Sequence, residues 1–202
     1  MFVPSGLSGI RSDFAHYCRV HNAETFLAKL LLPLEASSLL SLAVYRYGVW
    51  LYARPRPKLL ALPGKLLFWT LYFGVRRVTH VGLSPTAKIG EEVWFASGTP
   101  IICMATIGKG SSLHGCNTLG AGGAGDRRGA PTLGENVVIS TGAILFGRIE
   151  VPAGTVIGPN SVLSRSLSEP GAYLGVPARR FDGPASALIP NQPGTRPARR
   201  SA

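Results

Sequence analysis

Residues 133–163 run LGENVV ISTGAI LFGRIE VPAGTV IGPNSV L. Cut into sixes, every block opens on a large aliphatic side chain: Leu133, Ile139, Leu145, Val151, Ile157 and Leu163. Two positions before most of these stands a small or β-branched residue, as at Val137, Ala143, Ile149, Thr155 and Ser161. The same beat runs upstream through Leu83, Ile89, Phe95, Ile101, Ile107, Leu113 and Leu119, with Ala87, Val93, Thr99, Ala105 and Ser111 in the small position. Neither a helix nor a half-buried strand repeats at six. A hexapeptide period predicts short strands joined by tight turns, three per coil, stacked as a parallel β-helix. Each large residue then points to the axis and sits on its equivalent about 4.8 Å away in the next coil.

Between Leu119 and Leu133 the period is broken by fourteen residues where six are due. The surplus lies in residues 120–131, a glycine-rich segment that carries Asp126, Arg127 and Arg128. A stacked coil cannot absorb an insertion, so this segment leaves as a loop at a corner. Upstream, Ser12 suits the cap of a helix running in pieces to about Leu32, with Pro33 as punctuation. A second helix is expected from about Glu35 to Tyr52, and a third after Pro63-Gly64 to about Val78. Three regions follow: an α-helical region over 1–80, a β-helix over 81–181, and a disordered basic tail over 182–202.

The 202 residues include 21 Lys and Arg against 10 Asp and Glu, a net charge of +11. No acid lies between Glu35 and Glu91, where basic residues alternate with Tyr45, Tyr47, Trp50, Tyr52, Phe68, Trp69, Tyr72 and Phe73. That stretch suits peripheral contact with an anionic membrane, or ordinary packed helices with a basic face. It has no uncharged apolar run long enough to span a bilayer, and no nucleic-acid motif. Three cysteines (Cys18, Cys103, Cys116) without metal spacing or a secretory leader point to free thiols in a reducing cytoplasm. Cys103 and Cys116 read as packing residues.

The repeats, the loop with Gly125-Asp126-Arg127, the Tyr45-Arg46 helix and the closing Gly175-Val176-Pro177-Ala178-Arg179 together resemble the bacterial serine O-acetyltransferases. They are similar especially to the short members found with polysaccharide genes. The resemblance implies a mainly β fold, a left-handed parallel β-helix behind an α-helical N-terminal region, assembled as a homotrimer or a dimer of trimers. It implies transfer of an acetyl group from acetyl-CoA to a hydroxyl, L-serine by family name, with no metal. The coenzyme is then expected at Thr141, Gly142, Pro159 and Asn160 and at Gly175, Val176, Pro177, Ala178 and Arg179.

Removing a hydroxyl proton needs a general base, usually histidine. The family's aspartate–histidine pair follows the inward residue of one coil; here Ala96 and Ser97 follow Phe95. His114 is the one histidine within the repeats and stacks on Ala96 one coil later, so it is the candidate base, displaced by a coil and leaning over Ser97, the second catalytic candidate. The plain alternative is a histidine on the outer face. His16, His21 and His80 fall outside the repeats. Asp126, Arg127 and Arg128 could hold and orient an anionic acceptor. Two other outcomes stay open: O-acetylation of a saccharide or lipid-linked sugar, and a trimeric scaffold that has lost the chemistry. A zinc carbonic anhydrase on this fold is excluded, since it needs three imidazoles.

Overall fold

The computed structural model describes residues 6–53, 58–97, 99–122 and 128–188. Four helices come first: α1 (Leu7–Val20), α2 (Phe26–Glu35), α3 (Ser38–Ala53) and α4 (Lys58–Thr79). Three sequence expectations shift here. Ser12 lies inside α1, and its hydroxyl donates to Glu92 at 3.4 Å instead of capping the helix. Pro33 lies within α2, whose true cap is Thr25, accepting from the Ala28 amide at 3.2 Å. Pro63 likewise lies inside α4, which starts at Lys58. A proline removes one backbone bond, and neighbouring turns held by tertiary packing carry that loss.

The chain then winds into triangular coils. The first holds β1 (Val81–Leu83), β2 (Lys88–Ile89) and β3 (Trp94–Phe95); the second β4 (Ile101–Cys103), β5 (Thr106–Ile107) and β6 (Ser112–Leu113). The third holds β7 (Thr118–Gly120), β8 (Thr132–Leu133) and β9 (Val138–Ile139); the fourth β10 (Ile144–Phe146), β11 (Glu150–Val151) and β12 (Val156–Ile157). β13 (Val162–Leu163) and β14 (Ala172–Leu174) begin a last turn, and β15 (Arg179–Arg180) folds back antiparallel on β14. Three parallel sheets result: β1-β4-β7-β10-β13, β2-β5-β8-β11, and β3-β6-β9-β12-β14, the last edged by β15. This is the expected parallel β-helix behind a helical N-terminal region.

Register follows the period with one exception. Ile89 pairs with Ile107, Phe95 with Leu113 and Leu145 with Leu163, each eighteen residues on. Leu119 lies in register with Leu145, and Ile107 with Leu133, so the eight surplus residues leave at the corner between β7 and β8. The exception is Ile101. It pairs with Val81, while Cys103 takes the axial place between Leu83 and Leu119. The corner before β4 is two residues longer than the pattern allows and the corner after it two shorter. A thiol among aliphatics hides this slip, because cysteine packs as a small apolar residue. Cys103 is fully buried, and desolvation pushes its thiol up to about 12.

All thirteen repeat positions are buried to 3% exposure or less. Each such side chain contributes about 1.5–3 kcal/mol of apolar transfer. Glycine lets one corner stack tightly: a Cβ on Gly108 would stand 2.3 Å from the Gly134 carbonyl oxygen.

A solenoid must cover its first coil, whose strands have a free edge. Here the helices do so with side-chain polar groups. The Tyr45 hydroxyl donates to Ala87 O at 2.7 Å and accepts the Ile89 amide at 3.1 Å. The Tyr17 hydroxyl accepts the Phe95 amide at 3.0 Å, and Ser38 Oγ donates to Phe95 O at 2.7 Å. Asp13 Oδ1 accepts the Glu92 amide at 2.9 Å. Arg46 is fully buried; it donates to Ile89 O at 2.8 Å, to Gly90 O, and through Nε to Asp13 Oδ2 at 2.8 Å. The tyrosine–arginine helix noted in the sequence is thus the end-cap of the β-helix.

At the other end, a 3₁₀ turn over Ala185–Leu188 lies on the outer face of the third sheet. Leu188 packs with Val156 and Ala172, and its carbonyl accepts from Ser140 Oγ. Residues 182–188, expected as the start of a disordered tail, are therefore packed, because Phe181, Ala185 and Leu188 cover apolar strand residues. The tail from 189 onward lies outside the described residues.

Candidate functional site

One corner of the prism, joining the third sheet to the first, collects most of the singled-out residues. The Ala96 amide donates to Leu113 O, the His114 amide to Ile139 O, the Ser140 amide to Ile157 O and the Gly158 amide to Tyr173 O. This ladder stacks Ala96, His114, Ser140 and Gly158 in successive coils. Just beyond it, the Gly142 amide donates to Gly115 O at 3.0 Å and the Asn160 amide to Thr141 O at 2.9 Å. Gly175 closes the column: its carbonyl accepts the Val162 amide at 3.0 Å, and its amide donates to Ser161 Oγ at 3.1 Å. Ser97, His114, Thr141, Gly142, Pro159, Asn160 and Gly175 to Ala178 thus share one edge.

Turn chemistry sets this edge. Gly142 adopts φ +77° and Gly175 φ +102°, which side-chain-bearing residues disfavour. Asn160 takes φ +52°, tolerable for asparagine. A Cβ on Gly142 would fall 2.1 Å from Asn160 Oδ1. Thr141 Oγ1 donates to His114 O at 2.7 Å, tying adjacent coils. Val176 is 71% exposed, and Arg179 is exposed beside it, so the end of the edge offers both an apolar and a cationic group.

The two residues proposed for chemistry sit differently from a free acid–base pair. Ser97 Oγ lies 3.0 Å from Ser38 Oγ and accepts the Ser38 amide at 3.4 Å, so it belongs to the end-cap. His114 is 5% exposed, not on an open outer face. Its ring centroid lies 5.0 Å from that of Trp94, and Nε2 lies 3.5 Å from Ser112 Oγ. Desolvation lowers its pKa to about 4, so the imidazole is neutral near pH 7. Three buried polar atoms nearby have no hydrogen-bond partner among the described residues: Trp94 Nε1, Thr99 Oγ1 and Asn117 Oδ1. Sequence reasoning passed over Trp94 and Asn117, which carry no motif, and read Thr99 only as a β-branched repeat position.

The inserted loop stands on a different corner, between the first and second sheets. Its base is a backbone pair: the Gly122 amide donates to Gly129 O at 2.9 Å and the Gly129 amide to Gly122 O at 3.0 Å. Arg128 is exposed there; Asp126 and Arg127 lie outside the described residues. One chain therefore does not bring Arg128 and His114 to one corner. Cys116, read as a packing residue, is exposed at a turn with φ +52°. Among the described residues no group of three or more His, Cys, Asp or Glu could hold a metal ion.

Six-residue repeats wound into three parallel sheets, sealed by helices at one end, define a hexapeptide-repeat β-helix protein. No family model matches the chain. Over 106 residues it is 33% identical to a serine acetyltransferase of Staphylococcus aureus, a match covering 50% of this chain and 49% of that protein. Over 141 residues it is 28% identical to the serine acetyltransferase of Synechococcus elongatus, covering 69% and 54%. A serine acetyltransferase solved in complex with CoA is 28% identical, with a TM-score of 0.65 over 85% of this chain and 68% of that one. The chain spans about half the length of the curated relatives it matches. The serine acetyltransferases are thus what it is similar to, in sequence over about half its length and in fold over most of it.

Proposed function

We propose that this protein transfers an acetyl group from acetyl-CoA to a hydroxyl. Kinship with serine acetyltransferases, one of them solved with CoA, carries this reading. Thr141, Gly142, Pro159 and Asn160, with Gly175, Val176, Pro177, Ala178 and Arg179, are the proposed contacts of the coenzyme. Glycine turns on this edge let the backbone approach a thin pantetheine arm. The edge is a convex corner in one chain, so a neighbouring copy in a homotrimer, or in a dimer of trimers, is the proposed second wall. The loop of that copy, with Asp126, Arg127 and Arg128, would reach an anionic acceptor.

In the reaction the acceptor oxygen attacks the thioester carbon, the carbon–sulfur bond breaks, and the hydroxyl proton passes to the departing thiolate. His114 is the proposed carrier of that proton, since a neutral imidazole has one unprotonated nitrogen that can accept it. L-Serine is the proposed acceptor, as in the relatives' names. Thiol release from acetyl-CoA on adding serine but not saccharides supports this; release with saccharides alone transfers the reading to sugar O-acetylation. His114→Ala is expected to lower kcat at least tenfold, and unchanged turnover removes His114 from the mechanism.

A second reading rests on the geometry of Ser97 and His114: one is tied to Ser38, the other enclosed against Trp94. It is a trimeric scaffold without chemistry. Calorimetry with acetyl-CoA separates the two, since the scaffold takes up no coenzyme and releases no thiol with any acceptor.

A further inference from the structure

Helix α4 packs along one side, through Phe68, Tyr72 and Thr79, against α3 and the start of the first coil. Its outward side carries Leu62, Leu66, Trp69 and Phe73, which follow at i, i+4, i+7 and i+11 and so form one stripe. They are 54%, 62%, 41% and 58% exposed. Trp69 and Phe73 stack at 5.6 Å between ring centroids. By helical periodicity Lys65 and Arg76 flank the stripe on one side and Arg77 on the other; all three are exposed. Where α4 ends, Phe73, Arg76, Arg77 and His80 line a cleft.

Charge selects the occupant. From residue 36 to residue 90 the chain contains no acid, so nothing on α3, α4 or the turn beyond neutralises these cations. The exposed apolar face of α2 (Phe26, Leu30, Leu34) contrasts with it, because Glu24 precedes that helix and Glu35 ends it. No single helix among the described residues is long and apolar enough to cross a membrane. A row of Trp, Phe and Leu between cations is the pattern of a helix lying in a lipid interface: the rings enter the acyl boundary and the cations meet phosphate headgroups.

We propose that α4 is a docking surface for an anionic phospholipid bilayer, with Leu62, Leu66, Trp69 and Phe73 inserting, Arg76 and Arg77 pairing with headgroup phosphates in the Phe73–His80 cleft, and Lys65 meeting a phosphate further along the stripe. It holds the protein beside lipid-bound molecules whether or not the β-helix is catalytic.

The test is flotation of the full chain with vesicles of phosphatidylcholine, with and without phosphatidylglycerol. Binding is expected only to the anionic vesicles, falling as salt rises, with a blue shift of tryptophan emission that Trp69→Ser abolishes. Arg76→Glu/Arg77→Glu and Trp69→Ser/Phe73→Ser should each weaken binding at least tenfold. Circular dichroism checks that these surface variants keep the fold. Equal binding to both vesicle types, or none, overturns the proposal. So does a fall in oligomer size in the variants with vesicle binding unchanged, which would assign the stripe to a second copy of the chain. Acetyl transfer in detergent-free buffer is read separately, so loss of lipid binding and loss of chemistry are told apart.

Discussion

Ser97 Oγ lies 3.0 Å from Ser38 Oγ, binding the second residue after Phe95 to the first turn of α3. The Ser97 hydroxyl thereby helps to seal the end of the β-helix, where its oxygen also accepts the Ser38 amide at 3.4 Å. Ser97→Ala is expected to lower stability by about 1 kcal/mol, the net value of one such bond. Ser38→Ala should cost more, because Ser38 Oγ also donates to Phe95 O at 2.7 Å. Denaturant titration of both variants checks the order.

The Arg46–Asp13 pair is sealed from solvent, and Arg46 also holds Ile89 O and Gly90 O. Replacing either partner leaves a buried charge uncompensated. Arg46→Met and Asp13→Leu should each destabilise by about 3–5 kcal/mol. The double variant should lose clearly less than the sum. Additive losses in a double-mutant cycle would show that the two side chains act independently.

At Gly108 a Cβ would meet the Gly134 carbonyl oxygen at 2.3 Å, inside the stacking distance of two coils. Neither backbone can retreat without opening both ladders. Gly108→Ala should therefore lower Tm by several degrees, an effect of about 1–3 kcal/mol. Gly120→Ala is the control, since a Cβ there meets nothing within 4 Å.

His114 titrates near 6.5 when unfolded and at about 4 in the fold, where burial disfavours its charge. Between those values the unfolded chain binds the extra proton and the native chain does not. Its contribution is thus complete above pH 6.5 and declines as pH falls towards 4. The loss amounts to about 3 kcal/mol at most. His114→Gln should flatten the fall of Tm over that window, leaving the smaller share of His16 and His21, whose pKa values burial also lowers. An unaltered slope would show that His114 is not the group responsible.

The six-residue beat sufficed to locate the coils, because an axial side chain every sixth position is a one-dimensional signal that stacking turns directly into three dimensions. It also located the inserted loop between Leu119 and Leu133. Its one error, Ile101 for Cys103, came from two residues moved between adjacent corners, a shift that hydrophobicity alone cannot distinguish. Prolines misled for a related reason: Pro33 and Pro63 break isolated helices, but packing overrides a single missing bond.

What the sequence determined by itself was the coil and its phase over most of the chain. Tertiary structure alone decided that Tyr17, Ser38, Tyr45 and Arg46 close the first coil, that His114 is enclosed by Trp94, and that α4 leaves its Trp and Phe outside. The reason is range. Repeat period is a property of neighbours along the chain, whereas end-caps, burial of a single imidazole and an uncovered helix face depend on contacts tens of residues apart.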